Sequence, residues 1–464
     1  MGNRDDVKGK AGVDMGNDPI GGLLLKLSLP ATVALVVMGL YNLVDTIFIG
    51  RGVGTVGIGG LSLILPVQAL IGGFGLAVGQ GAASVVSRNL GAKNYDRARR
   101  AAGNAFTLAL LSGLTLSVGA YLFTEPLLDL LGATEALRDT ARTYLRIILI
   151  GAPFMTMAMS CNNLLRAEGK AKESMRVMLT GAIANLILDP IFIFVFDMGV
   201  AGAALATILG QMLNFAFGIR YFVGKKTSVT IDLAYLKPEG SVVKETILLG
   251  IPTFVRQAGQ SVVGILLNNL LGAYGGDIYI SAYGIINRLL MFLMMPLFGM
   301  AQGFQPIAGF NYGARKYGRV RKSLWLTGIF ATLFSTLVFL LLNIFPRTFA
   351  GIFTADGALI DSTVQVMRYI FLIFPLVGLQ ITGSTYFMVV GKPTPSLILN
   401  LSRQFIFLIP LILILPSYWG MRGLLSAFPV ADFSAALITV LWLMKELSHL
   451  GESALAEELL SRNE

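Results

Sequence analysis

The sequence predicts an all-α integral membrane protein with twelve transmembrane helices, arranged as two six-helix bundles related by an internal repeat. Three observations carry that expectation. Of 464 residues, 55% are hydrophobic and 13% charged, and the mean hydropathy is +0.72. Apolar runs of about 20 residues or more recur from end to end, each long enough to cross a bilayer as a helix. A set of short motifs also returns at an offset of 222 positions, as from Gln80 to Gln302. A transmembrane β-barrel would instead alternate apolar and polar positions over ~10 residues, and would be less apolar overall.

The spans are expected at 22–49, 57–87, 100–123, 140–163, 174–196, 199–222, 246–272, 278–308, 323–345, 363–389, 396–416 and 420–444. Charge orders them. Arg88, Lys93, Arg97, Arg99 and Arg100 follow the second span, and Arg166, Lys170, Lys172 and Arg176 follow the fourth. The sixth is followed by Arg220, Lys225, Lys226, Lys237 and Lys244, the eighth by Arg315, Lys316, Arg319, Arg321 and Lys322, the tenth by Lys392. The intervening loops carry Glu125, Asp129, Glu135, Asp197, Asp277 and Asp356. Basic loops stay on the cytoplasmic side, so both termini are expected there, in the plasma (inner) membrane. The net charge of +10 is thereby explained by orientation in a lipid bilayer, and no nucleic-acid partner is expected.

The repeat divides the chain. Gln80-Gly81, Asn89, Gly91-Ala92-Lys93, Tyr95, Arg97 and Arg99 return as Gln302-Gly303, Asn311, Gly313-Ala314-Arg315, Tyr317, Arg319 and Arg321. The same offset pairs Pro30 with Pro252, Pro153 with Pro375 and Gly169-Lys170 with Gly391-Lys392. The expected order is a cytoplasmic tail (1–20), an N-lobe (21–222), a cytoplasmic linker (223–245), a C-lobe (246–444) and a cytoplasmic tail (445–464). The first tail, with Asp5, Asp6, Asp14 and Asp18, lacks the plan of a signal peptide and reads as disordered. The last, with Leu447, Leu450, Leu455 and Leu459 among charges, reads as an amphipathic surface helix. Parallel repeats of this kind are frequent in secondary transporters, with the substrate site between the halves.

Two motifs invite over-reading. The twinned Gly-Ala-Lys/Arg loops are read as orientation-setting loops rather than phosphate sites. Gly52, Gly54 and Gly57 fit a dinucleotide fingerprint only in spacing, because no strand precedes them. The lone Cys161 excludes a disulfide framework and reads as a packing residue, and His449 lies in the polar tail. No catalytic residue, cofactor or haem or zinc site is expected.

The chemistry is expected around Asn185-Leu-Ile-Leu-Asp189-Pro190. Asn185 and Asp189 share a helix face, and an ionisable group inside a span costs roughly 2.5 to 3.5 kcal/mol to insert, which makes it a functional group by default. Pro190 removes a helical hydrogen bond and is expected to loosen the backbone beside the acid. Counting 1.5 Å per residue puts Asp189 and Thr207 roughly 12 Å, and Asp45 near 8 Å, below the outer end of their spans. The three are thus expected in one layer. Tyr41 and Asn42 stand one turn before Asp45 on the same face. If the two acids approach, they titrate as one coupled unit able to hold a proton or a monovalent cation. Bland readings are that Asp45 caps a helix end and that Asp189 neutralises a buried arginine.

The second half does not copy this chemistry, since the offset maps Asp45 to Leu267, Asn185 to Phe407 and Asp189 to Leu411. It offers Arg256, Gln257 and Gln260 on the seventh span and Asn287 and Arg288 on the eighth, with Met291, Met294 and Met295 as polarizable neighbours. The candidate substrate cavity is Tyr41, Asn42, Gln68, Arg256, Gln257, Gln260, Asn287, Arg288, Met291 and Met295.

Tyr41-Asn-Leu-Val-Asp45-Thr, Asn185-Leu-Ile-Leu-Asp189-Pro190 with Gly199-Val-Ala-Gly202-Ala-Ala, and the twinned Gln-Gly…Asn-x-Gly-Ala loops resemble the multidrug and toxic compound extrusion (MATE) family, over nearly the whole chain. The resemblance implies a V-shaped central cavity and export of mostly cationic amphipathic small molecules in exchange for Na⁺ or H⁺. It implies that Asp45, Asn185, Asp189 and Thr207 form the N-lobe cation site. One departure stands out. Some members carry an acid a few positions after the seventh-span proline, whereas Pro252 here is followed by Arg256 and Gln257. A C-lobe cation site of that kind is therefore not expected, nor a purely cation-selective cavity, since Arg256 admits zwitterionic or anionic substrates as well. The alternative is a flippase for a lipid-linked or anionic substrate, which calls for basic cavity faces in both halves. An enzyme lacks its nucleophile and base, and a channel its ring of identical pore segments. The chain is expected to act as a monomer.

Overall fold

The structure, a computed structural model, describes residues 13–224 and 226–462, with side chains described through Glu452 apart from Thr55. The chain runs through α1 (Ile20–Gly52), α2 (Gly54–Gly91), α3 (Tyr95–Leu122), α4 (Thr124–Leu130), α5 (Glu135–Ala167) and α6 (Ala171–Pro190), whose end unwinds into a π-helical turn at Ile191–Val195. It continues through α7 (Gly199–Val223), α8 (Leu233–Leu236), α9 (Gly240–Gly313), α10 (Tyr317–Ile344), α11 (Pro346–Gly351), α12 (Gly357–Ile370) and α13 (Phe374–Val389). Last come α14 (Pro393–Leu401), a π-helical stretch at Ser402–Leu408, and α15 (Ile409–Arg462).

Among the described residues nine helices are long and apolar enough to cross a membrane, and the pair α12–α13, bent by 50°, makes a tenth. Two of the nine reverse direction at a glycine, α9 at Gly276 and α15 at Gly420, where the backbone leaves helical geometry. Each therefore supplies two crossings, which yields the expected twelve. The repeat is written into the turns as well. Lys93 and Arg315 both sit at φ 59°, Gly169 and Gly391 at 79° and 82°, Gly54 and Gly276 at 79° and 69°. Every pair is separated by the sequence offset.

Where the core sits describes the arrangement of the halves. At the end carrying the Lys/Arg-rich loops, here the basic end, one cluster joins both halves, with Leu23, Val85 and Leu164 beside Phe304, Val389 and Leu450. Away from that end each half packs on itself, around Ile64, Leu145 and Ile193 in the first and Leu267, Phe371 and Leu424 in the second. The halves thus meet at the basic end and diverge from it. Glu245 at the start of α9 reinforces the join, accepting from Arg88 and Arg97 at 2.8 Å each.

Two expectations about the flanks change. Residues 13–19, expected in a disordered tail, are held against the second half: Asn311 Nδ2 donates to the Met15 carbonyl at 2.9 Å and Arg319 to that of Asp18 at 2.7 Å. Long donors on the twinned loop satisfy backbone carbonyls that water would otherwise serve. Residues 1–12 lie outside the described residues. The last tail is helical to Arg462, but Leu450 is buried in the shared core rather than on a surface face, and the side chains of Leu455 and Leu459 lie outside the described ones. The segment before α9 is also docked. Asn104 Nδ2 donates to the carbonyls of Tyr235 and Lys237 at 3.1 Å each, and Asn104 Oδ1 accepts from the Glu239 backbone N–H at 2.7 Å.

Candidate functional site

The acid site starts from a helix crossing. Gly181 of α6 faces Gly210 of α7 so closely that a Cβ on either would stand 2.8 Å from the other's carbonyl oxygen. Small residues permit that approach. One turn along, it brings Asn185 of α6 against Thr207 of α7. With its amide oriented by its surroundings, Asn185 donates from Nδ2 to Asp189 Oδ2 at 2.9 Å and accepts the Thr207 backbone N–H at 3.0 Å. The Thr207 hydroxyl bonds back to the Ala203 carbonyl at 3.0 Å.

Asp45 reaches the same point from α1, its carboxyl within hydrogen-bond range of Asp189. Both acids are buried, Asp189 completely, and Oδ1 of each is without a partner. Two carboxylates that touch need a proton or a cation between them, and unpartnered carboxylate oxygens suit a small hard cation. Among the described residues no Lys or Arg forms an ion pair with either acid. The buried basic groups nearest to Asp189 in sequence are engaged elsewhere, Arg166 with Ser174 Oγ and Asn163 Oδ1 at 2.9 Å each and Lys170 with Glu168 at 3.1 Å. Asp45 is interior to α1, which ends at Gly52, so it caps nothing. Neither bland reading fits. Tyr41 and Tyr144 lie near the two acids, and Gln68 donates to Tyr144 Oη at 3.4 Å.

Asp189 itself stays α-helical. The distortion that Pro190 causes falls after it, where Phe196 N–H reaches back five residues to the Ile191 carbonyl at 2.9 Å. Packing of α6 on α1 and α7 holds the acid's own turn, and the strain is released at 191–195.

A second site is a cavity of about 240 Å³ set mainly in the second half, between α9, α13 and the π-helical stretch after α14, with Leu35, Leu76 and Gln80 reaching in from the first half. Arg256 lines it, its guanidinium 4.9 Å from the Phe298 ring centroid. Arg403 lines it too, but is claimed by Asp432, with Nε–Oδ1 at 2.6 Å and Nη2–Oδ2 at 3.4 Å.

The MatE family model matches the chain twice, over residues 30–191 and 252–414, one match in each repeat. The chain belongs to the MATE family of efflux transporters. Its relatives include the multidrug export protein MepA of Staphylococcus aureus (strain MRSA252), 27% identical over 425 residues that cover 91% of this chain and 93% of MepA. The fold matches a ligand complex of the MATE multidrug transporter DinF-BH, with a TM-score of 0.86 and 39% identity over 94% of this chain and 98% of that one. It also matches an outward-facing multidrug resistance MATE family transporter, with a TM-score of 0.88 and 26% identity over 94% and 98% of the two chains. As a MATE protein, the chain is a multi-pass membrane transporter and not an enzyme.

In this MATE chain the residues expected at a cation site, Asp45, Asn185, Asp189 and Thr207, converge, with Tyr41 beside them. The expected cavity residues divide. Arg256, Gln257 and Gln260 line the cavity, joined by Met294, which is not among the expected cavity residues. Gln68 turns to Tyr144, and Met295 is buried against Gly39 of α1. Asn42, Asn287, Arg288 and Met291 lie on exposed faces outside the cavity lining. Sequence reasoning missed Tyr144, and it missed the Arg403–Asp432 pair with Gln404 beside it. A charge in each of the last two spans was the available signal for that pair.

Proposed function

We propose that this MATE protein exports organic, mostly cationic amphipathic compounds in exchange for Na⁺ or H⁺ by alternating access. The single observation that carries the reading is the contact of Asp45 with Asp189, two buried carboxyls each with an unpartnered oxygen. Such a pair exchanges a proton or a monovalent cation as its surroundings change, which is the chemistry an antiporter needs. Asp45, Asn185, Asp189 and Thr207 are the coupling site. The named activity of MepA and the ligand complex of the multidrug transporter DinF-BH support a drug-like cargo. No cofactor is required, because the coupling ion is itself transported. The lobes are 21–222 and 246–444, the protein is a monomer in the plasma membrane, and the basic end with both termini faces the cytoplasm.

The test is efflux of ethidium from proteoliposomes under separately imposed Na⁺ and H⁺ gradients, for the wild type and Asp189→Asn. Gradient-driven efflux that the substitution abolishes is the expected result, and the gradient that works names the ion. Equal activity of Asp189→Asn would remove the coupling assignment. A wild type that moves no dye under either gradient would remove the drug-exporter reading.

A further inference from the structure

Besides the acid pair, the first half buries a cation without a counter-charge. Arg166, near the basic end of α5, is 7% exposed. Its guanidinium donates to Ser174 Oγ and Asn163 Oδ1 at 2.9 Å each and reaches Met178 Sδ at 3.8 Å, all of them neutral acceptors. The acid closest to it in sequence, Glu168, is taken by Lys170 at 3.1 Å and by the N–H groups of Ser228 and Val229 at 3.0 and 2.9 Å. Among the described residues no carboxylate forms an ion pair with Arg166. A guanidinium stays charged in any protein environment, and a buried one left unpaired is costly.

From Arg166 a line of buried polar groups leads to the acid pair. The Ser174 hydroxyl is shared between the carbonyl and Oδ1 of Asn162 at 3.2 Å each, and Asn162 Nδ2 donates to Asn214 Oδ1 of α7 at 3.1 Å. Asn214 and Asn185 flank the crossing of α6 and α7. A Cβ on Gly181 would stand 2.9 Å from the Asn214 Cβ, and one on Gly210 would stand 3.2 Å from the Asn185 Cβ. Asn185 in turn bonds Asp189. Ser174, Gly181, Asn185 and Asp189 fall on one face of α6, and the fifteen residues from Ser174 to Asp189 cover roughly 22 Å. The result is a polar seam through an apolar bundle, closed at its middle by two glycines.

The architecture does not itself call for the arginine. Ser396 Oγ donates to the Ser384 carbonyl at 3.0 Å, the same contact as that of Ser174 with the Asn162 carbonyl, 222 positions on. Arg166 maps by that offset to Met388. The half that lacks the two acids thus lacks the arginine as well. We infer that Arg166 is an electrostatic stopper at the basic end of the seam, which lets the acid pair hold a proton or Na⁺ without loss along α6 to the cytoplasmic side. A fixed guanidinium excludes cations from a polar passage by its charge. The inference rests on the coupling assignment above and deepens it, since such a loss would run down the gradient with no cargo moved.

The test is cation entry into cargo-free proteoliposomes of the full chain, driven by a K⁺ diffusion potential and read by an internal pH dye and, separately, by a Na⁺ dye. Arg166→Gln should raise entry of the coupling ion at least about tenfold over the wild type, which needs a barrier change of only about 1.4 kcal/mol. Arg166→Met, which installs the residue that the second half carries at the equivalent position, should do the same and covers the case of a Gln variant that does not fold. Arg166→Lys keeps the charge and should stay tight. Adding Asp189→Asn to Arg166→Met should return entry to the wild-type level, because the ion passes through the acid pair. Equal entry in the wild type, Arg166→Gln and Arg166→Met overturns the stopper, and so does a leak that Asp189→Asn leaves standing. Ethidium efflux from wild-type vesicles keeps the two readings apart: if it is present while entry is unchanged, the stopper alone falls, and if it is absent, the efflux reading falls with it.

Discussion

Gly91 and Gly313 hold the halves together reciprocally. A Cβ on Gly91 would stand 1.8 Å from the Phe310 carbonyl oxygen, and one on Gly313 would stand 1.8 Å from the Arg88 carbonyl oxygen. Phe310 and Arg88 are themselves repeat partners, so the same contact is made twice about the pseudo-symmetry axis. The sequence motif that tempts a phosphate-site reading thus serves backbone-to-backbone packing at the basic end.

Gly91→Ala should therefore pry that end open, because backbone atoms cannot retreat as side chains do. Ser87 is fully buried at the join, close enough to Gly309 that a Cβ there would meet its Oγ at 2.1 Å. A cysteine at Ser87 reports on the opening, since the natural Cys161 is buried and adds no background. Maleimide labelling of Ser87→Cys should rise by about tenfold for each 1.4 kcal/mol by which Gly91→Ala destabilises the closed join. Unchanged labelling would show that the close contact is not what keeps the halves together.

Breaking the Arg403–Asp432 pair should cost more than removing it. Asp432→Asn leaves a guanidinium without its carboxylate, a loss of about 3 to 5 kcal/mol for a buried pair. The expected outcome is a clear fall in melting temperature for Asp432→Asn and recovery of much of it in Asp432→Asn/Arg403→Gln. Additive losses in the double variant would mean that the two residues are not energetically paired.

At the opposite end, Arg142 holds the Glu125 carboxyl below its ordinary value of 4.5, by hydrogen bond and by charge, with Arg138 adding to it. A folded value below the unfolded one stabilises the fold at pH above the ordinary value, and that contribution disappears as pH falls through the folded one. The melting-temperature difference between wild type and Glu125→Gln should be constant above about pH 5 and shrink as the medium is acidified further. A difference that grows on acidification would reverse the sign of the argument.

How much could be read from the chain alone follows from what each signal encodes. The offset between Gln80 and Gln302 carried the architecture, because duplicated turns need duplicated residues. Depth counting brought Asp45, Asp189 and Thr207 to one level, because helical rise is uniform. Azimuth was harder. Asn287 and Arg288 stand at mid-span, yet lipid-facing and cavity-facing positions are both apolar in composition, so rise alone does not tell which way they look. Tyr144 was invisible for a related reason: a phenol among apolar neighbours has no periodicity of its own. The unwinding at Pro190 begins at Ile191, two residues beyond Asp189 where the local rule put it, since neighbouring helices decide where a proline's strain is released.

The docking of Glu239 on Asn104 has a mechanical meaning. Its amide is pinned to α3 at 2.7 Å, and α9 begins at the very next residue, Gly240. The covalent tether between the halves accordingly has no slack. In the alternating access proposed above, the start of α9 would therefore serve as a fixed pivot, with the widest excursions at the far end of the molecule.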